Sequence, residues 1–123
     1  MAQKLTSKQL ARAEYLHTLP PKLERAKTIV EQMAVLQADE AVVRSFSRML
    51  DEIKVRSSTL GLPPVAEAAG IMAMMSRRSG NLQTKVRGLR EQLASLRFHY
   101  EAALKKATTP GLADQERDEP AAG

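Results

Sequence analysis

Residues 82–103, LQTKVRGLREQLASLRFHYEAA, place Leu82, Val86, Leu89, Leu93, Leu96, Tyr100 and Ala103 at steps of 4, 3, 4, 3, 4 and 3. That rhythm keeps one apolar stripe on one side of an α-helix, whereas a strand would throw alternate residues to opposite faces. A stripe this long needs other helices to cover it, and the chain upstream supplies them. Residues from about Pro21 to Gln37 put Leu23, Ala26, Val30 and Met33 on one face, widened by Ile29 and Leu36. From about Asp39, a residue suited to an N-cap, to Leu60 the sequence repeats the pattern with Val43, Phe46, Leu50, Ile53, Ser57 and Leu60. Gly61 follows in the usual position for ending a helix. A third segment opens at Pro63 or Pro64, where a missing N–H costs nothing. It carries Val65, Ala69, Met72 and Met75 inward and stops at Ser79-Gly80.

Pro20-Pro21, Ala38-Asp39, Gly61 to Pro64, Ser79-Gly80-Asn81 and Thr108 to Gly111 punctuate these segments. The connections they leave are short, and short connections make consecutive helices antiparallel. The expected architecture is therefore an all-α, up-down four-helix bundle over residues 20–108. A short amphipathic helix within residues 1–19 is expected to pack across it. Residues 109–123, small, polar and acidic, are expected to be a disordered tail.

Composition agrees with one helical domain. In 123 residues, 43% are hydrophobic and 3% aromatic, with no Trp, and helix formers crowd every segment. There is no Cys, so disulfides and thiolate metal sites are excluded, and a reducing, cytoplasmic setting is the natural expectation. No signal-peptide core and no membrane-spanning stretch is present. The formal charge is +5, and the segment from Asp114 to Glu119 contributes −3, which leaves about +8 on residues 1–113. A basic body can be steered to nucleic acid or to an acidic protein surface, and charge alone does not choose.

Residues 51–62, Asp-Glu-Ile-Lys-Val-Arg-Ser-Ser-Thr-Leu-Gly-Leu, resemble the signature of histidine phosphotransfer (HPt) domains, with Ile53, Lys54, Ser57, Leu60, Gly61 and Leu62 in register. Residues Pro63 to Ala69 are similar to the family's following helix, and the likeness extends over about residues 20 to 107. The resemblance implies a four-helix bundle of bacterial two-component signalling. Asp51 stands where that family has its phospho-accepting His, Val55 where it has Gly, and Arg56 where it has a small residue. Phosphotransfer needs an imidazole nitrogen that reaches in line toward an aspartate, and a shorter carboxylate cannot replace it. The resemblance therefore implies a non-catalytic, pseudo-phosphotransfer module that docks on a receiver domain or a histidine kinase. Its implied docking face comprises Ser47, Arg48, Asp51, Lys54, Val55 and Ser58 with Met74 and Arg78 of the next helix.

The wheel places Asp51 about 135° from the centre of the Val43-to-Leu60 stripe, toward solvent, where Lys54 or a neighbouring basic residue can pair with it. Val55 on that polar face reads as a contact residue, since an exposed β-branched side chain gains nothing from helix propensity. Met72, Met74 and Met75 cannot all point inward, so at least one should be exposed. His17 and His99 lie outside the motif's register. Arg77, Arg78, Lys85, Arg87, Arg90 and Arg97 form a basic surface around one hairpin. No carboxylate pair, Ser/His/Asp set, phosphate loop or metal spacing assembles, so neither an enzymatic activity nor a metal or other cofactor is expected. Two other classes remain: a basic nucleic-acid binder, supported by charge but by almost no stacking aromatics, and a structural oligomer built on the last helix.

Overall fold

A computed structural model describes residues 4–111, and all regular structure among them is helical. Five helices follow in order: α1 (Ser7–Leu16), α2 (Leu19–Ala34), α3 (Glu40–Thr59), α4 (Pro63–Arg77) and α5 (Leu82–Thr108). From residue 112 onward the expected acidic tail lies outside the described residues.

Local chemistry sets most of the boundaries. Thr6 and Gln9 form a reciprocal capping box at α1 (3.0 and 2.9 Å). Asp39 accepts from the Val42 N–H at 2.9 Å, and Asn81 accepts from the Thr84 N–H at 3.0 Å. The Pro20-Pro21 pair, expected to separate two segments, instead sits inside the first turn of α2. Proline fits there because the first turn has no intrahelical use for its N–H. The break falls two residues earlier, at His17-Thr18, and both residues keep right-handed helical dihedrals.

At its other end α2 stops at Ala34, short of Gln37, through a Schellman turn. The Gln37 N–H donates to the Gln32 carbonyl at 2.7 Å and the Leu36 N–H to the Met33 carbonyl at 3.1 Å. Leu36 takes the left-handed position of that turn (φ 60°) while 81% exposed. The same turn recurs at the end of α3, with Leu62 N–H to Ser57 carbonyl at 2.8 Å and Gly61 N–H to Ser58 carbonyl at 3.1 Å. There the left-handed residue is Gly61 (φ 72°).

Helices α2 to α5 surround one core, with α3 against α4, α4 against α5, α5 against α2, and a lighter contact of α2 with α3. Phe46, Leu50, Ile53, Val65, Met72, Leu89 and Leu96 lie at its centre, almost wholly removed from solvent. Ion pairs fix the antiparallel register of α2 and α5: Glu31 with Arg90 through two bonds of 2.6 and 2.9 Å, and Glu24 with Arg97 at 2.6 Å. The Arg90 hydrogen bonds hold the Glu31 carboxyl below its ordinary pKa.

Helix α5 has 27 residues, a length of about 40 Å. Its C-terminal turns are covered by α1. Gln9 is buried there and donates to the carbonyls of Lys106 (3.0 Å) and Thr109 (2.9 Å). Helix α1 thus packs on the C-terminal turns of α5. It also reaches α3: Arg12 Nε donates to the Leu60 carbonyl at 2.8 Å, and the Tyr15 hydroxyl lies 3.4 Å from both the Ile53 carbonyl and the Ser57 hydroxyl.

Candidate functional site

Residues 51–62 form the second half of α3 and the turn that leads into α4. A helix of 20 residues shows the seam between α3 and α4 a flank of Ser47, Asp51, Lys54 and Ser58, and α4 answers with Gly70, Ala73, Ser76 and Arg77. Glycine at 70 is what allows Lys54 to lie flat across α4. A Cβ there would stand 3.1 Å from Lys54 Cδ and 3.4 Å from Cε. The lysine stem is thereby packed while its ammonium end stays exposed.

Asp51 is half-buried, and its carboxylate accepts from the Arg77 guanidinium on α4. The expected partners were Lys54 or a basic residue one turn away. Lys54 is drawn instead toward Gly70, and Arg77, 26 positions down the chain, takes the carboxylate. Position 51, expected from the sequence to be an exposed acid, is occupied by a neutralised ion pair. Both side chains retain substantial solvent contact, 42% and 53%, so the pair contributes no more than about 1 kcal/mol to stability.

Ser47 departs from its expected place on the docking face. It is 6% exposed, and its hydroxyl meets that of Ser76 at 2.5 Å, with Ser76 also donating to the Ala73 carbonyl at 2.7 Å. A hydroxyl that α4 can hydrogen-bond is drawn into the seam, which leaves it no surface to offer a partner.

The other residues of the implied face reach solvent. Arg48, Lys54, Val55 and Ser58 are exposed on α3, and Met74 and Arg78 on α4. Val55 stands one turn beyond Asp51 and is 61% exposed, and Met74 on α4 is exposed as well. Of the three neighbouring methionines, Met72 is fully buried, Met75 is partly buried and Met74 faces outward with Arg78 against its sulfur. Along α3 and α4 the charged residues of this side are Arg44, Arg48, Lys54, Arg77 and Arg78 with Glu40, Asp51, Glu52 and Glu67, and Arg44 pairs with Glu40. The excess of positive charge on this side is small.

A shallow groove lies on the far side of α3, toward α1, lined by Glu14, Tyr15, Lys22, Glu52, Val55 and Arg56. Tyr15 floors it with the Arg56 guanidinium 5.8 Å from its ring centre, and burial raises the phenol's pKa above the ordinary value. No catalytic constellation appears in it. Among the described residues no group of three or more His, Asp or Glu side chains could hold a metal ion, and no helix is long and apolar enough to cross a membrane. His17 is exposed at the joint of α1 and α2, and His99 packs edge-on against Phe98 on α5, away from Asp51's seam.

The Leu60-Gly61-Leu62 segment acquires a structural role of its own. The Arg12 guanidinium lies against Gly61, where a Cβ would stand 2.7 Å from Nη2. Glycine therefore both supplies the positive φ that ends α3 and leaves space for the side chain that ties α1 to that end. Comparisons with protein-family models, with curated proteins and with solved structures return no match.

Proposed function

We propose that the chain is a non-catalytic, pseudo-phosphotransfer binding module, an up-down HPt-like bundle. On this reading it regulates two-component signalling by occupying a receiver domain or a histidine kinase with its α3–α4 face. The observation that carries this reading is the Asp51–Arg77 pair in the acceptor position, with Val55 exposed one turn further along α3. A bare carboxylate there would repel a receiver's acidic metal-binding pocket. Paired with Arg77 and with Arg48 and Lys54 exposed on the same helix, the position suits an acidic partner, and exposed Val55 and Met74 supply apolar contact area. Relay is precluded because no imidazole occupies the position.

The test is capture from the native cell lysate with wild type, a Lys54→Glu/Val55→Glu variant and an Arg77→Gln variant side by side. Wild type is expected to recover a receiver- or kinase-containing protein that the double variant loses. Arg77→Gln should weaken the same capture, because it exposes the Asp51 charge to the partner. Equal recovery by all three, or recovery of nucleic acid instead, would remove the docking reading.

A further inference from the structure

Phe98 is the largest aromatic surface the described chain leaves in water, 68% exposed on the outer side of α5. The core stripe of that helix is spent inside the bundle, and Arg90 and Arg97 are committed to Glu31 and Glu24 of α2. What remains outward is a second row: Glu91, Ala94, Phe98, Ala102 and Lys105, all exposed. Glu91 and Lys105 each lie seven residues from Phe98, about 10.5 Å along the axis and within about 20° of its direction. The alanines lie four residues to either side. The row is thus centred on Phe98, small next to it, and oppositely charged at its two ends.

A helix with that arrangement is complementary to itself when turned end for end. We propose that the outer face of α5 binds a second copy of this chain in an antiparallel, two-fold contact. The axis passes at Phe98, each Phe98 packs against the other between Ala94 and Ala102, and each Glu91 meets the partner's Lys105. A two-fold contact doubles every favourable pair, because the same patch serves both sides. The charges also select the register. A slip of one turn that set Ala94 opposite Phe98 would oppose Arg87 to Lys105 and Glu91 to Glu101, like against like at both ends. With Phe98 on the axis, Glu101 faces Ser95 instead, and the like-charged pair of that register, Arg90 with Lys106, lies about 80° off the contact line with Arg90 held by Glu31.

This contact is independent of the docking reading. In the ring of helices α5 packs on α4 and α2, and α3 on α4 and α2, so α5 and α3 stand at opposite corners. A pair joined through α5 would leave both α3–α4 faces free and would present them bivalently to a clustered partner.

Sedimentation equilibrium of the full chain across a wide concentration range tests the proposal, with folding of each variant verified by circular dichroism. Wild type should show a reversible monomer–dimer equilibrium, and Phe98→Glu should remain monomeric throughout. Glu91→Lys and Lys105→Glu should each weaken dimerisation about 10-fold or more, since each turns two attractive pairs into two repulsive ones. The double variant Glu91→Lys/Lys105→Glu restores opposite charges across the axis and should return to within a few-fold of wild type. A strictly monomeric wild type, a dimer insensitive to Phe98→Glu, or a double variant no stronger than the single ones would each overturn it.

Discussion

Replacing Gly61 by Ala probes two demands that one residue meets. Its φ of 72° lies where a Cβ costs about 1 to 2 kcal/mol. The new Cβ would also stand 2.7 Å from Arg12 Nη2, so the guanidinium must move, and its Nε bond to the Leu60 carbonyl at 2.8 Å weakens with it. A partly lost hydrogen bond from a charged donor adds about 1 kcal/mol. Less about 0.5 kcal/mol returned because alanine restricts the unfolded chain, the expected loss is about 1.5 to 2.5 kcal/mol, a fall of about 1 M in the urea midpoint at an ordinary slope. Equilibrium urea unfolding of wild type, Gly61→Ala, Arg12→Ala and the double variant separates the two parts. The backbone cost persists in the Arg12→Ala background, and the steric part, about 1 kcal/mol, disappears there as a coupling energy. Gly61→Asn, which tolerates the left-handed region better, should lose less through the backbone. A Gly61→Ala loss below about 0.5 kcal/mol would refute the strain argument, and equal losses in both backgrounds would refute the seat for Arg12.

Leu36 is the converse case: a leucine in the left-handed position of an equivalent turn, with 81% of its surface exposed and little burial to lose. Leu36→Gly should raise stability by about 0.5 kcal/mol, the relieved backbone strain less the added freedom of the unfolded chain, and urea midpoints would detect it. Burial raises the Tyr15 pKa above 10.0. Below pH 10 both folded and unfolded chains keep that phenol protonated. Above it the unfolded chain ionises first, so stability should fall as pH rises toward the higher folded value. Unfolding midpoints from neutral to alkaline pH should show that fall in wild type and a smaller one in Tyr15→Phe. An identical alkaline fall would assign it to other groups.

The parts of the fold legible in the sequence are those written in local spacing. The 4, 3 rhythm from Leu82 to Ala103 and the run from Val43 to Leu60 name the buried faces of α5 and α3, and Asp39 and Gly61 mark the two ends of α3. Position along the chain was less legible where one residue type has two uses. Pro20-Pro21 can end one helix or begin the next, and only the packing of α1 and α2 along a 27-residue α5 chooses the second. The end of α2 was hidden for a different reason, because the left-handed residue of its final turn is a leucine and not a glycine.

The same division runs through the candidate site, and it shows why a helical wheel alone misassigns its members. A wheel assigns each residue an angle about its own helix, so it places Arg48 and Val55 outward but has no information about where the neighbouring helix begins. Ser47, Asp51 and Lys54 all lie on the flank that α4 meets, and α4 treats them differently: it buries the hydroxyl against Ser76, pairs the carboxylate with Arg77, and leaves a glycine beneath the lysine stem. None of these partners is within one helical turn in sequence. The structure thus changes the chemical meaning of position 51 from an exposed acid to one half of an ion pair, which on the proposed docking reading removes a charge that would repel an acidic partner. A partner bound through this seam would accordingly depend on Arg77 as strongly as on Val55.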